Sequence, residues 1–76
     1  MNPYEALANA IVEQAVVDYK KALRYAYMHP YDEGYAADVK EVENFFSSPW
    51  YQLLTDLDSE FLMERIQKMV RLEVRV

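Results

Sequence analysis

The chain contains no cysteine and only one histidine, His29. Disulfide bonds are therefore excluded, and so is a zinc site built from cysteine and histidine ligands. Gly34 is the only glycine, which excludes a glycine-rich phosphate-binding loop. Small domains often use disulfides or a metal to compensate for a small core. With 76 residues and neither device, this chain must be stabilised by side-chain packing or by self-association.

Long apolar runs are also absent. No stretch approaches the roughly 18 apolar residues that a membrane-spanning helix needs, and no signal segment opens the sequence. The lack of cysteine gives no indication of an oxidising compartment. We therefore expect a cytoplasmic protein that has no membrane partner.

Charge is distributed unevenly along the chain. Residues 1–31 are neutral overall, residues 32–64 carry nine acidic side chains against one lysine, and residues 65–76 carry four basic side chains against one glutamate. A central block with a net charge of −8 repels nucleic acid and attracts basic surfaces. The acidic residues predicted to bind a partner are Asp32, Glu33, Asp38, Glu41, Glu43, Asp56, Glu60 and Glu64.

Helical periodicity, proline and capping residues predict four helices. The first spans about residues 3–27 behind an Asn2 cap, and the second spans about residues 35–46 after a loop at 29–34. The third spans about residues 49–54 behind Ser48, and the fourth follows Asp58. We predict an all-α fold, a single domain in which a long N-terminal helix packs with about three shorter helices as a compact bundle.

The last five residues allow two interpretations. Glu73 would fall within the apolar stripe of the fourth helix, and residues 72–76 alternate between apolar and charged side chains, as in a strand. The segment is therefore either a frayed end of the fourth helix, which we favour, or an edge strand that pairs with a second copy of the chain or with another protein.

A block in the second half of the sequence resembles a known group of proteins. Its residues are Glu43, Phe45, Phe46, Ser48, Trp50, Tyr51, Leu54, Thr55, Asp56, Leu57, Asp58, Ser59, Glu60, Phe61 and Leu62. They are similar to small helical proteins of Firmicutes prophages and integrative elements, as is the segment AIVEQAVVDYKKAL. Ser59, where glycine is more usual, and the loop HPYDEGYAAD depart from that group. The resemblance implies a helical fold and a mobile-element setting in a bacterial host cell; it does not imply a catalytic residue.

No arrangement of side chains predicts an enzyme. Asp56, Asp58 and Glu60 alternate as at the start of a calcium loop, but the glycine and the final glutamate of that motif are replaced by Phe61 and Gln67. His29 has no serine or cysteine at a suggestive spacing. We therefore predict no catalytic residue, no metal and no cofactor.

Aromatic side chains have two expected roles. Trp50, Phe45 and Phe46 are predicted to anchor the core, because a fold of this size needs large buried side chains. Tyr27, Tyr31 and Tyr51 are predicted as interface aromatics on the surface.

The acidic block itself has two interpretations. It is either a solvated surface that keeps the protein soluble, or a row of carboxylates that mimics nucleic-acid phosphates. The second interpretation predicts an inhibitor, like an anti-CRISPR protein, that binds a basic nucleic-acid-handling protein, with Cas nucleases as the concrete case. The alternative is a structural or assembly protein that works as a homo-oligomer, the simplest being a homodimer.

Overall fold

A computed structural model describes residues 2–74 of the chain. This part forms four helices and no strand: α1 (Pro3–Met28), α2 (Glu33–Phe46), α3 (Pro49–Leu54) and α4 (Ser59–Val74). No helix among these residues is both long and apolar enough to cross a membrane. The predicted all-α bundle, with one long helix and three shorter ones, is confirmed.

Local side-chain caps fix where the helices begin. The Asn2 carboxamide accepts a hydrogen bond from the Tyr4 N–H at 2.8 Å, and Pro3 occupies the first helical position. The Ser48 hydroxyl accepts from the Tyr51 N–H at 3.3 Å. The Asp58 carboxylate accepts from the Glu60 N–H at 2.9 Å. Each cap satisfies backbone donors that have no partner within the helix, so the chain leaves its loops at defined residues.

The start of α2 differs from the sequence prediction. The helix begins at Glu33, two residues before the predicted start, because Asp32 caps it by accepting from the Gly34 and Tyr35 N–H groups. Glycine suits this turn, since a Cβ atom on Gly34 would lie only 3.0 Å from the Asp32 carboxylate. Asp32, predicted as part of a partner-binding surface, is thus already engaged as a helix cap.

Helix α1 organises the bundle. Its 26 residues correspond to about 39 Å of helix, close to the 42 Å length of the molecule. The other three helices pack along it. Tyr19 of α1, Phe46 of α2, Tyr51 of α3 and Val70 of α4 are the largest fully buried side chains. Every helix therefore contributes one large side chain to a shared core.

The C-terminal segment continues as helix. Residues 72–74 extend α4 to Val74, which confirms the favoured helical interpretation for them, while residues 75 and 76 lie outside the described part. Glu73 does not enter the core as its helical position suggested. Its carboxylate instead accepts a hydrogen bond from the Arg24 guanidinium of α1 at 2.9 Å. The negative charge of Glu73 is thus paired with Arg24 at the edge of the α1–α4 contact.

Candidate partner-binding surface

An open groove runs between α1 and α2. Its volume is about 780 Å³, and it extends along α1 from Ile11 to Tyr25 and along α2 from Tyr35 to Phe45, with Trp50 of α3 also lining it. Small side chains at Ala15 and Ala22 leave room between the two helices. The apolar lining residues are Ile11, Ala15, Ala22, Val42, Phe45 and Trp50. A concave apolar surface of this size is suited to receiving a partner's side chains.

Carboxylates line both walls of the groove. Asp38 and Glu41 project from α2, Asp18 projects from α1, and Lys21 is the single basic side chain in the lining. The three carboxylates form no ion pair, since Arg24–Glu73 is the only salt bridge among residues 2–74. Asp38 and Glu41 are thus brought together as predicted, whereas Asp18 was missed because it lies in a segment that is neutral overall.

Glu43 has a different environment from the rest of the predicted acidic surface. It is partly buried, and its carboxylate accepts a 2.7 Å hydrogen bond from the Tyr19 hydroxyl. That hydroxyl in turn accepts a 2.7 Å hydrogen bond from the Gln67 side chain of α4. The chain of hydrogen bonds joins three helices, so Glu43 contributes to the internal structure in addition to its partly exposed position, and its role in partner binding stays a prediction.

The remaining acidic residues lie elsewhere. Glu60 and Glu64 of α4 line a second, shallower cleft of about 370 Å³ between α2 and α4, together with Lys40 and Glu43. Asp56 is exposed in the connection before α4, and Glu33 is exposed in the first turn of α2. The fold therefore divides the acidic block among the groove, the second cleft and the helix ends.

The structure reverses the roles predicted for Trp50 and Tyr51. Tyr51 is only 1% exposed and packs against Phe45 and Phe46, so it is a core residue and its prediction as an interface aromatic is wrong. Trp50, predicted as a core anchor, is 53% exposed at the groove. Neighbouring helical residues point about 100° apart, so the sequence of a six-residue helix does not indicate which of the two faces inward.

Tyr27 and Tyr31, the two other predicted interface aromatics, differ in their exposure. Tyr27 is partly buried and packs against the core, so only part of its side chain is available for a contact. Tyr31 is 98% exposed in the loop before α2, so it remains available for a contact. Beside this loop, the Tyr35 ring stacks on Tyr25 at 5.4 Å and on His29 at 5.3 Å between ring centroids. This aromatic stack lies near the end of the groove opposite Trp50.

Two buried phenols have perturbed acidity. Burial raises the pKa of the Tyr19 phenol; the Gln67 hydrogen bond lowers it, and the Glu43 carboxylate raises it further. Burial also raises the pKa of Tyr51, with a smaller contribution from the negative charge of Asp58. The Tyr51 hydroxyl has no hydrogen-bond partner within residues 2–74. Both side chains therefore stay neutral at physiological pH and serve packing.

The described part of the chain holds no group of three or more histidine, aspartate or glutamate side chains that could bind a metal ion. The groups that the groove presents to a ligand are mainly apolar side chains and carboxylates. Comparisons of the chain with protein-family models, curated protein sequences and solved structures give no match. The resemblance to prophage proteins accordingly stays a prediction, and functional inference depends on the geometry described above.

Proposed function

We propose that this protein is a binding protein whose acidic groove engages a basic surface on another protein. The observation that carries the proposal is the combination of an apolar floor with three carboxylates that form no ion pair among residues 2–74: Asp18, Asp38 and Glu41. Unpaired charges on a rigid helical frame keep their full attraction for an incoming cationic surface. The apolar floor adds affinity once water is displaced.

We further propose that the partner is a nucleic-acid-handling protein of a bacterial host. Proteins that bind nucleic acid present lysine and arginine side chains at phosphate spacing, and carboxylates on one helix can occupy the same sites. The resemblance to prophage and integrative-element proteins supports this class of partner. An anti-CRISPR-like inhibitor of a Cas nuclease is the concrete form of the hypothesis, and it requires no catalytic residue in this chain.

The test uses tagged protein as bait in bacterial lysate that contains Cas nucleases, washed at low and at moderate salt, with the bound proteins identified by mass spectrometry. The groove variant, Asp38→Lys with Glu41→Lys, is the comparison bait. We expect the unmodified bait to retain a basic nucleic-acid enzyme that moderate salt releases, because screening weakens contacts between exposed charges. The groove variant should lose that protein, and the captured nuclease should then be tested for inhibition of cleavage.

A matched control variant distinguishes an effect of the substituted positions from an effect of the protein's net charge. The control variant, Glu5→Lys with Glu13→Lys, undergoes the same change in charge on α1 at two exposed residues that do not line the groove. It should retain the partner. Equal loss of the partner from both variants would show that net charge, and not the groove, drives the interaction. Glu43 is left unchanged in all baits because its substitution would disturb the hydrogen bond to Tyr19.

Homo-oligomerisation is a second candidate function with its own observation. Large apolar side chains are exposed on several helices, among them Leu7, Val17, Leu53 and Phe61. Such residues on a chain of this size favour burial against another protein surface. The mass of the purified protein in light scattering at high concentration tests this candidate directly: a strictly monomeric mass would contradict it.

A further inference from the structure

The outer face of α4 carries exposed basic side chains together with large apolar ones. Phe61, Arg65, Lys68 and Leu72 recur at helical spacing and are all exposed. Seen along the helix axis, they fall within about 60° of one another, opposite the buried Ile66 and Val70. We call these four residues the basic stripe. The Arg65 guanidinium lies 5.7 Å from the centre of the Phe61 ring, so cationic and apolar groups alternate along the stripe.

The basic stripe and the groove are complementary in three respects. The stripe carries two cations, with the exposed carboxylate of Glu64 beside it, whereas the groove carries three carboxylates and one lysine. Both surfaces add large apolar side chains to their charges. Their lengths also agree, since residues 61–72 of α4 and residues 35–45 of α2 each correspond to about 15–17 Å of helix.

We infer that the groove between α1 and α2 receives the basic stripe of a second copy of this chain. Arg65 and Lys68 of one copy meet Asp38, Glu41 and Asp18 of the other, while Phe61 and Leu72, at the two ends of the stripe, cover the apolar lining at the two ends of the groove. Opposite charges bring the two surfaces together, and burial of the apolar side chains holds them. The inference concerns the protein alone and does not depend on the proposed host partner.

The two surfaces lie on different helices, so the contact is heterologous: each copy offers a stripe to one neighbour and a groove to another. Such contacts generate rings or open chains and do not stop at a symmetric pair unless the geometry closes. Association would also cover Asp38 and Glu41. If the proposed function holds as well, self-association and partner binding exclude each other.

The test measures the mass of the protein by sedimentation velocity at low and at high salt. The protein concentration is varied from about 10 μM to 1 mM, because weak complexes form in this range. The groove variant is compared with a stripe variant, Arg65→Glu with Lys68→Glu. All four substituted side chains are exposed, and circular dichroism verifies that both variants fold. We expect the unmodified chain to exceed its monomer mass of 9.0 kDa at high concentration and low salt.

Each variant alone should show an association constant lower by roughly tenfold or more, because like charges then face each other. A 1:1 mixture of the two variants should associate again, since the acidic stripe of one fits the basic groove of the other and the two unmodified surfaces also pair. The control variant should associate like the unmodified chain. Trp50 emission should shift to the blue on association, because the groove covers its exposed ring.

Three results would overturn the inference: a monomeric mass for the unmodified chain at 1 mM, association of either variant alone as strong as that of the unmodified chain, or a mixture that stays monomeric. Failure here is distinguishable from failure of the proposed function. The stripe variant keeps its acidic groove, so it should still capture the host partner from lysate even though it no longer self-associates.

Discussion

The two flanks of α1 are built differently. On one flank, Tyr19 is fully buried, packs against Phe46 of α2 and is hydrogen-bonded to Gln67 of α4, and the Arg24–Glu73 ion pair lies at the edge of the α1–α4 contact. On the other flank, Ala15 and Ala22 line the open groove. One helix thus supports a packed interface along one flank and an unfilled surface along the other.

The difference shows how a small domain can combine stability with a binding surface. Large buried side chains and hydrogen-bonded polar groups on the packed flank supply most of the free energy of unfolding. The other flank can therefore carry alanines and exposed carboxylates that add little to stability. Residues on the packed flank should therefore determine the free energy of unfolding, whereas groove residues should determine binding.

Core truncation should produce the largest loss of stability. Phe46→Ala removes a ring that is 1% exposed, and we expect it to cost about 3–5 kcal/mol of the free energy of unfolding, most of what a domain of this size has. Trp50→Ala, at the half-exposed groove residue, should cost only about 1–2 kcal/mol. Urea denaturation followed by circular dichroism measures both. If Phe46→Ala does not fold, Phe46→Leu provides a milder comparison, and equal losses at positions 46 and 50 would contradict the contrast between the flanks.

High pH should destabilise the fold through the two buried phenols. Their pKa values are raised by burial, so the unfolded chain ionises near the ordinary value of 10 while the folded chain holds its protons. Stability is therefore fully present below about pH 10 and falls above it, by at most about 1.4 kcal/mol per pH unit for each phenol until the pH passes the folded-state pKa of that phenol. Urea denaturation between pH 9 and 11.5 measures the slope, and Tyr19→Phe and Tyr51→Phe should each reduce it. An unchanged slope in either variant would exclude that phenol as the cause.

At neutral pH, the same two substitutions should have different effects. Tyr19→Phe removes the hydroxyl that links Glu43 and Gln67, at an expected cost of about 1–2 kcal/mol. Tyr51→Phe removes a buried hydroxyl that has no partner among residues 2–74, and should be neutral or slightly stabilising. The midpoints of thermal unfolding rank the two variants. A destabilised Tyr51→Phe variant would indicate that a water molecule satisfies that hydroxyl.

The ion pair at the edge of the packed flank should contribute least. The side chains of Arg24 and Glu73 are 44% and 46% exposed, and pairs of this kind are worth less than about 1 kcal/mol. A double-mutant cycle with Arg24→Ala and Glu73→Ala isolates the interaction. The coupling should fall further as salt is added, because the charges are open to solvent. A coupling free energy above about 2 kcal/mol would mean that the pair is more shielded from solvent than the exposure of its side chains indicates.

The sequence was sufficient to locate most helix boundaries. Asn2, Ser48 and Asp58 bond to backbone groups two or three residues away, so the interactions that start α1, α3 and α4 are local and visible in the sequence. The start of α2 was missed because Asp32 was interpreted by its charge alone, although aspartate is also an effective helix cap.

Which side chains form the surface of the groove depends on how the helices pack. The exposure of Trp50 and the burial of Tyr51 depend on how the short helix α3 rotates against its neighbours. Glu43 meets Tyr19 across 24 residues, and Asp18 joins Asp38 and Glu41 only when α1 and α2 pack side by side. The helices, their caps and the sign of the charge in each segment are predictable from the sequence, because they depend on neighbours within one or two turns. The division into a packed and an open flank arises from contacts between distant segments, which no local pattern specifies.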